Sequence, residues 1–312
     1  MNHVLALDVG GTGMKAALLA SDGSLGAQTT RPTLRGRGPD AVVAGLLDFA
    51  AELLADARSR TGRAPVAAGV AVPGNLDDEH GIARYSANLG WRDVPLRDLL
   101  TDRLGLPVTL SHDLRAGGVA EARLGAARGH GRFVFLALGT GVAGAIGIDG
   151  RIETGAHGRA GEVGHVVVRP GGLRCGCGAY GCLETLASAA AVARAYTAAG
   201  GPAGSSAQDV ARAVERGEER AAAVWQEAVE ALADGVLLCA AVLDPEVFVI
   251  GGGLALAGPT LFGPLGAAIA RRVTFHVPPV VVPAALGAAA GCVGAGLLAW
   301  DEFTAGAGAP RG

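Results

Sequence analysis

Short apolar runs alternate along the chain with segments of helical periodicity. Val4 to Leu7 predicts a buried strand and Met14 to Ala20 a second, with Asp8-Val9-Gly10-Gly11-Thr12-Gly13 between them. Asp22-Gly23 follows, a dipeptide that favours a hairpin turn. Phe133 to Leu138 repeats this plan: it runs into Gly139-Thr140-Gly141, then a strand through Ala145 to Ile148, then Asp149-Gly150. Two copies of strand, glycine turn, strand and Asp-Gly turn imply an internal duplication, each half opening on its own glycine-rich hairpin.

Asp40 to Arg60 has apolar residues at helical spacing and predicts an amphipathic helix. Pro65 to Val72 predicts a strand stopped by Pro73-Gly74, and Asn75 to Trp91 a long polar loop. Pro107 to Leu110 is a further strand, leading through Ser111-His112-Asp113 into a helix over Leu114 to Leu124. A turn near Arg128 to Gly131 marks the crossing between domains. Thr185 to Ala199 and Ala207 to Leu243 predict helices. Glu246 to Ile250 predicts a strand running into Gly251-Gly252-Gly253, Pro259 to Arg271 a helix and Val280 to Val282 a strand. The alternation predicts an α/β fold with mixed sheets.

Length and composition narrow this picture. A chain of 312 residues is long for one core and predicts two domains. Half of it is hydrophobic but only 4% aromatic, so alanine, valine, leucine and glycine must build the core. A net charge of -3 gives no electrostatic reason to expect nucleic acid or an anionic membrane as partner. Leu286 to Trp300 is too short for a membrane span and reads as a buried C-terminal helix. No signal peptide precedes the first strand, and reduced thiols fit a cytoplasmic location.

The densest chemistry lies in Gly161 to Glu184, which holds His165, Cys175, Cys177 and Cys182 between Glu162 and Glu184. Thiolate and imidazole are the ligands tetrahedral zinc prefers, and Cys3His with no vacancy reads as a structural site. A disulfide plus a spare thiol, or a redox pair, are the rival uses. The chain is neither short nor cysteine-dense, and a CxxC is missing, so zinc is the expected occupant. Glu162 and Glu184 are not needed as ligands; the metal loop would fix them for another task. Cys239 and Cys292 sit in apolar surroundings and read as core.

Gly139-Thr140-Gly141-Val142-Ala143-Gly144 matches the dinucleotide pattern GxGxxG, but a strand rather than a helix follows it, so that reading fails on context. What remains is two glycine hairpins whose N–H groups and threonines, Thr12 and Thr140, suit phosphate, with tight turns as the plain alternative. Asp8, at a strand end beside such a turn, suits a hydrated magnesium ion or merely braces the turn. Asp113 precedes a helix, so it is either an N-cap or a general base.

These segments together resemble the ROK family (repressors and sugar kinases) of the actin and hexokinase fold. The resemblance rests on Asp8 to Thr12, Pro73-Gly74, Asn88-Leu89-Gly90-Trp91, Asp113, Gly139 to Gly141, Gly161-Glu162-Val163-Gly164-His165, the cysteine elements through Glu184, and Gly251 to Gly253. It implies two actin-like (ribonuclease H-like) domains with mixed sheets flanked by helices and an active-site cleft between them. Residues 1–128, completed by a helix over 294–312, would form one, and 129–293, with the zinc loop, the other. It implies an ATP-dependent, glucokinase-like enzyme phosphorylating the primary hydroxyl of a hexose, with Asp113 as base. Gly74, Asn88, His112, Asp113, Glu162, His165 and Glu184 would contact the sugar. Asp8, Gly10, Gly11, Thr12, Lys15, Gly139, Thr140, Gly141, Gly252 and Gly253 would hold ATP and magnesium. His165 would use one ring nitrogen for zinc and the other for sugar. A homodimer or tetramer is implied as well.

Two departures matter. The family's sugar kinases carry Asn immediately before the catalytic Asp and again two residues after it, where this chain has His112 and Arg115. An amide donates and accepts from one edge, whereas imidazole does so from opposite edges, so glucose is not assured as the acceptor. N-acetylmannosamine, N-acetylglucosamine and fructose are alternatives, and a non-catalytic sugar sensor is another. Polyphosphate is a rival donor, disfavoured by the glycines at 251–253. No helix-turn-helix arm precedes the first strand, which argues against a DNA-binding repressor.

Overall fold

The computed structural model describes residues 2–308, which fall into two compact units. Residues up to Ala120, with Gly155–Arg159 and the segment from Ala288, form unit 1; Glu121–Thr154 and Ala160–Gly287 form unit 2. The division falls within a helix, a little before the Arg128 limit drawn from the sequence.

Unit 1 begins with β1 (His3–Val9), β2 (Gly13–Ala20) and β3 (Thr29–Pro32), followed by α1 (Pro39–Thr61) and β4 (Ala68–Val72). The stretch expected as a polar loop carries instead β5 (Asn75–Asp77) and β6 (Ile82–Tyr85), which with β7 (Arg92–Val94) just beyond it form a small antiparallel sheet. Each of its strands is too short for periodicity to show, while buried Leu76, Ala83, Leu89 and Trp91 fix it to the core. Then come α2 (Leu96–Leu104), β8 (Val108–His112) and α3 (Asp113–Leu124). The main sheet has the order β3-β2-β1-β4-β8. β1 to β3 pair antiparallel, and β4 and β8 add in parallel.

Unit 2 repeats the plan with β9 (Arg132–Leu138), β10 (Val142–Ile148) and β11 (Arg151–Glu153). Asp149 (φ 50°) and Gly150 (φ 78°) make the two-residue turn the sequence calls for. The two expected helices after the cysteines are each broken: α4 (Glu184–Ala187) from α5 (Ala189–Ala198), and α6 (Ala207–Glu215) from α7 (Glu219–Leu243). Ser188 causes the first break, because its side chain accepts from the Ala191 N–H and starts α5 afresh. Ser206 and Asp209 form a capping box on α6. β12 (Val247–Gly251), α8 (Pro259–Arg272) and β13 (Val280–Pro283) complete a sheet ordered β11-β10-β9-β12-β13. Its sequence of antiparallel and parallel pairings is that of unit 1, strand for strand. The inferred duplication is thus visible as topology.

α9 (Ala290–Gly308) returns to unit 1 and packs on β1, β4 and β8. The approach is at backbone distance. A Cβ on Gly69 of β4 would strike the Ala295 carbonyl, and one on Gly294 would strike the Ala116 carbonyl of α3. Glycine is therefore required on both sides of this seam. Trp300 Nε1 donates to the Leu19 carbonyl at 3.1 Å, and Thr109 Oγ1 donates to Glu302 at 2.7 Å, closing the far end. Among the described residues no helix is long and apolar enough to cross a membrane.

Gly69→Ala is expected to lower the melting temperature by about 5 °C or more, because the methyl forces α9 off the sheet. Gly45→Ala, within α1 and with open space at its Cβ, is expected to raise stability by about 0.5–1 kcal/mol. Calorimetry of the two variants checks both signs.

Candidate functional site

The first glycine turn is built at the end of β1. Gly10 N–H donates to the Gly13 carbonyl at 2.9 Å, and Thr33 braces the loop from outside its own segment. Thr33 Oγ1 donates to the Gly10 carbonyl at 2.6 Å, and its N–H to the Thr12 carbonyl at 3.2 Å. Thr33 is buried, yet it stands in a polar stretch after β3, and nothing in the sequence singles it out. Thr12 is exposed, Gly10 and Gly11 half-buried, and a Cβ on Gly11 would lie 3.6 Å from the Asn88 Cβ. Asn88 is exposed in a turn anchored by buried Ser86 on one side and by buried Leu89 and Trp91 on the other. Gly74 lies in the turn between β4 and β5.

Asp8 faces Lys15 across the β1–β2 pair. Burial, then the nearby Asp113 charge, raises its carboxyl to about 6, with Lys15 opposing. A Cβ on Gly291, in the first turn of α9, would come within 2.8 Å of the Asp8 carboxylate. Lys15 Nζ itself donates to the Ala288 carbonyl at 2.9 Å. Asp8 and Asp113, far apart in the chain, are thus electrostatic neighbours.

Asp113 occupies the first turn of α3, and its Oδ1 accepts from the Leu114 N–H at 2.7 Å. His112 Nδ1 lies 3.3 Å from the same oxygen. Arg115 is nearly buried and pairs with Asp78, from the turn after β5, at 2.9 Å. Burial raises the Asp78 carboxyl, while the Arg115 and His112 charges oppose that rise. Nothing in the sequence singles out Asp78. It lies in a run of polar residues whose only legible role is that of a loop, and the cation it neutralises is remote in the chain.

In unit 2 the second glycine turn is closed by Gly139 N–H to the Gly141 carbonyl at 2.9 Å. Thr140 is exposed. Gly252 and Gly253 are exposed at the end of β12.

His165, Cys175, Cys177 and Cys182 place one ligand atom each within 4.8 Å of one another. Cys177 Sγ to Cys182 Sγ is 3.7 Å, and Cys175 Sγ to His165 Nδ1 is 3.6 Å. Ligands at about 2.3 Å from a tetrahedral zinc are separated by about 3.8 Å, whereas a disulfide needs about 2.05 Å. The donor set fits zinc and excludes a disulfide in this arrangement. Burial pushes the Cys182 thiol up to about 12 and raises Cys175, while a backbone N–H hydrogen bond from Ala179 lowers Cys177. Crowding three such groups becomes favourable when a cation takes the thiolates.

His165 turns Nδ1 toward the thiols and Nε2 toward Glu162, 3.8 Å from its Oε2. Glu162 is exposed. Glu184 is half-buried, with Oε1 3.9 Å from Cys175 Sγ and Oε2 accepting from the Val142 N–H at 3.0 Å. The loop is held to the body of unit 2 by Arg169, which pairs with Asp234 at 2.7 Å and Glu227 at 3.0 Å on α7.

The ROK family model matches residues 4–302. A glucokinase of Thermotoga maritima is 37% identical over 276 residues, covering 84% of this chain and 85% of its own. An N-acetylmannosamine kinase of Escherichia fergusonii is 31% identical over 299 residues, 96% of this chain and 98% of its own. Among solved structures, the ROK family glucokinase of Streptomyces griseus in complex with glucose and AMPPNP superposes with a TM-score of 0.83. It is 30% identical, with 96% of this chain and 100% of that one covered. The two units thus have the actin-like fold expected from the sequence, and the chain belongs to the ROK family.

Proposed function

We propose that the protein is an ATP-dependent sugar kinase, glucokinase-like, that phosphorylates the primary hydroxyl of a hexose. The observation that carries this is Asp113: a half-buried carboxylate at the head of α3, with one oxygen anchored by the Leu114 N–H, in a chain similar to glucokinases over most of its length. In this reading the Asp113 carboxylate accepts the hydroxyl proton as the sugar oxygen attacks the γ-phosphorus. The bridging P–O bond breaks and ADP leaves.

Glu162, Glu184 and the outward ring nitrogen of His165 bind sugar hydroxyls in this reading, and so do Asn88, Gly74 and His112. The two glycine turns hold the phosphates, with Thr12 and Thr140 exposed for that contact, and Gly252 and Gly253 lie against the adenosine. Magnesium, when bound near Asp8, offsets phosphate charge. Zinc, when bound, fixes the loop that carries the two glutamates.

A second reading, of an N-acetylhexosamine as acceptor, is supported by the 31% identity to an N-acetylmannosamine kinase over 96% of this chain. Coupled ADP release with ATP and magnesium over glucose, mannose, fructose, N-acetylglucosamine and N-acetylmannosamine decides between the two. Failure of every sugar would remove the kinase reading.

In that assay Asp113→Asn is expected to cut turnover on the order of a hundredfold or more while leaving sugar binding nearly intact. Retained turnover would take Asp113 out of the mechanism. Stripping zinc with a chelator, or Cys177→Ser, is expected to raise the sugar KM before the fold melts. A zinc-free protein with unchanged KM would contradict this.

Asp8 gives a pH signature. Its carboxyl is raised to about 6 in the fold, against about 3.9 in an unfolded chain, so the folded state binds the proton more tightly. The resulting cost to stability is absent below the unfolded value, grows between the two, and is complete above pH 6. Asp8→Asn is therefore expected to melt higher than the parent at pH 7.5, by about 1–3 kcal/mol of stability. The two should converge near pH 4, and the variant should lose activity. Melting curves across pH check the sign.

A further inference from the structure

Glu184 is joined to the second glycine turn as well as to the metal loop. Its Oε2 accepts from Val142, the residue that ends that turn, and a Cβ on Gly141 would collide with the same oxygen. The other edge of the turn is held by the same segment: the Ala189 N–H donates to the Gly139 carbonyl at 2.9 Å. Between these two grips, the Ser188 side chain is fully buried and starts α5, so Glu184 and Ala189 are held in a fixed relation. Two residues before Glu184 stands Cys182, a metal ligand of the cluster, and Glu184 Oε1 faces Cys175 Sγ. Residues 182–189 therefore form a bracket with the metal loop at one end and both sides of the phosphate turn in its jaws.

We propose that Glu184 is a positioning residue for the nucleotide-binding turn Gly139–Gly141, so that one carboxylate serves the sugar through Oε1 and the phosphate turn through Oε2. This rests on the kinase reading above and extends it, because a sugar-facing side chain becomes part of what shapes the nucleotide site. Holding the Val142 N–H at the end of the turn fixes the direction of β10 as it leaves, and with it the backbone of Gly141. A sugar hydroxyl that draws on Oε1 changes the acceptor strength of Oε2, and binding at one side alters affinity at the other by the same factor in both directions.

The test is binding, not turnover. AMPPNP with magnesium is titrated calorimetrically, without sugar, into the parent and into Glu184→Ala, Glu184→Asp and Glu184→Gln, with zinc content measured on each. Only zinc-replete variants are compared. Loss of a hydrogen bond to a charged group predicts about tenfold weaker AMPPNP binding for Ala. Asp should weaken similarly, since it keeps the charge but draws its oxygens back from Val142. Gln retains an acceptor at the right length and is expected to stay within about threefold of the parent. Should Ala shed its zinc, the ordering of Gln above Asp carries the decision. Ala or Asp binding AMPPNP as tightly as the parent would overturn the proposal, as would Gln falling to their level. A parent that binds no adenine nucleotide would instead overturn the kinase reading from which the proposal starts.

Discussion

Crowding three thiols and an imidazole into a span of 4.8 Å is the constraint on which the functional half of unit 2 depends. Neutral thiols gain little from such proximity, and thiolates repel one another, so the arrangement makes physical sense only around a cation. Once that centre is set, the glycine-rich backbone between the ligands has few ways left to run. It leads directly into Glu184 at one end and out of Glu162 at the other. The carboxylates inherit their positions from a loop with little secondary structure of its own.

The duplicated sheets solve the problem of presenting a glycine turn twice, but the turns are braced differently. In unit 1 a buried threonine beyond β3 holds the loop through the Gly10 and Thr12 carbonyls. In unit 2 a carboxylate and a helix N-terminal N–H hold it through Val142 and Gly139. Topology is shared while the bracing chemistry has diverged. The charged brace lies on the unit that carries the metal loop, where Cys182 already restrains its neighbours.

Much of this was legible in the sequence because it depends on local patterns. Apolar runs ending in glycine turns mark the strands of both units, and the cysteine spacing marks the metal loop. Asp8 and Asp113 stand out as carboxylates at element ends. What escaped were features that arise from tertiary contact alone. The strands β5 to β7 are too short to carry a period, and only buried Leu76 and Trp91 reveal that they are structured. Thr33 and Asp78 matter because of partners far along the chain. The breaks at Ser188 and Gly217 fall inside alanine-rich stretches whose helical propensity hides them. Sugar choice is the hardest to read, because the identities of His112 and Arg115 say nothing of how their polar atoms are aimed.

The pairing of Arg115 with Asp78 has a consequence for how sequences of this type can change. A guanidinium nearly removed from water is tolerable only while its countercharge stays put. Replacing Asp78 alone strands the guanidinium, whereas Asp78, with its side chain 43% exposed, survives the loss of Arg115, so the order of change is constrained: the base has to leave before the acid.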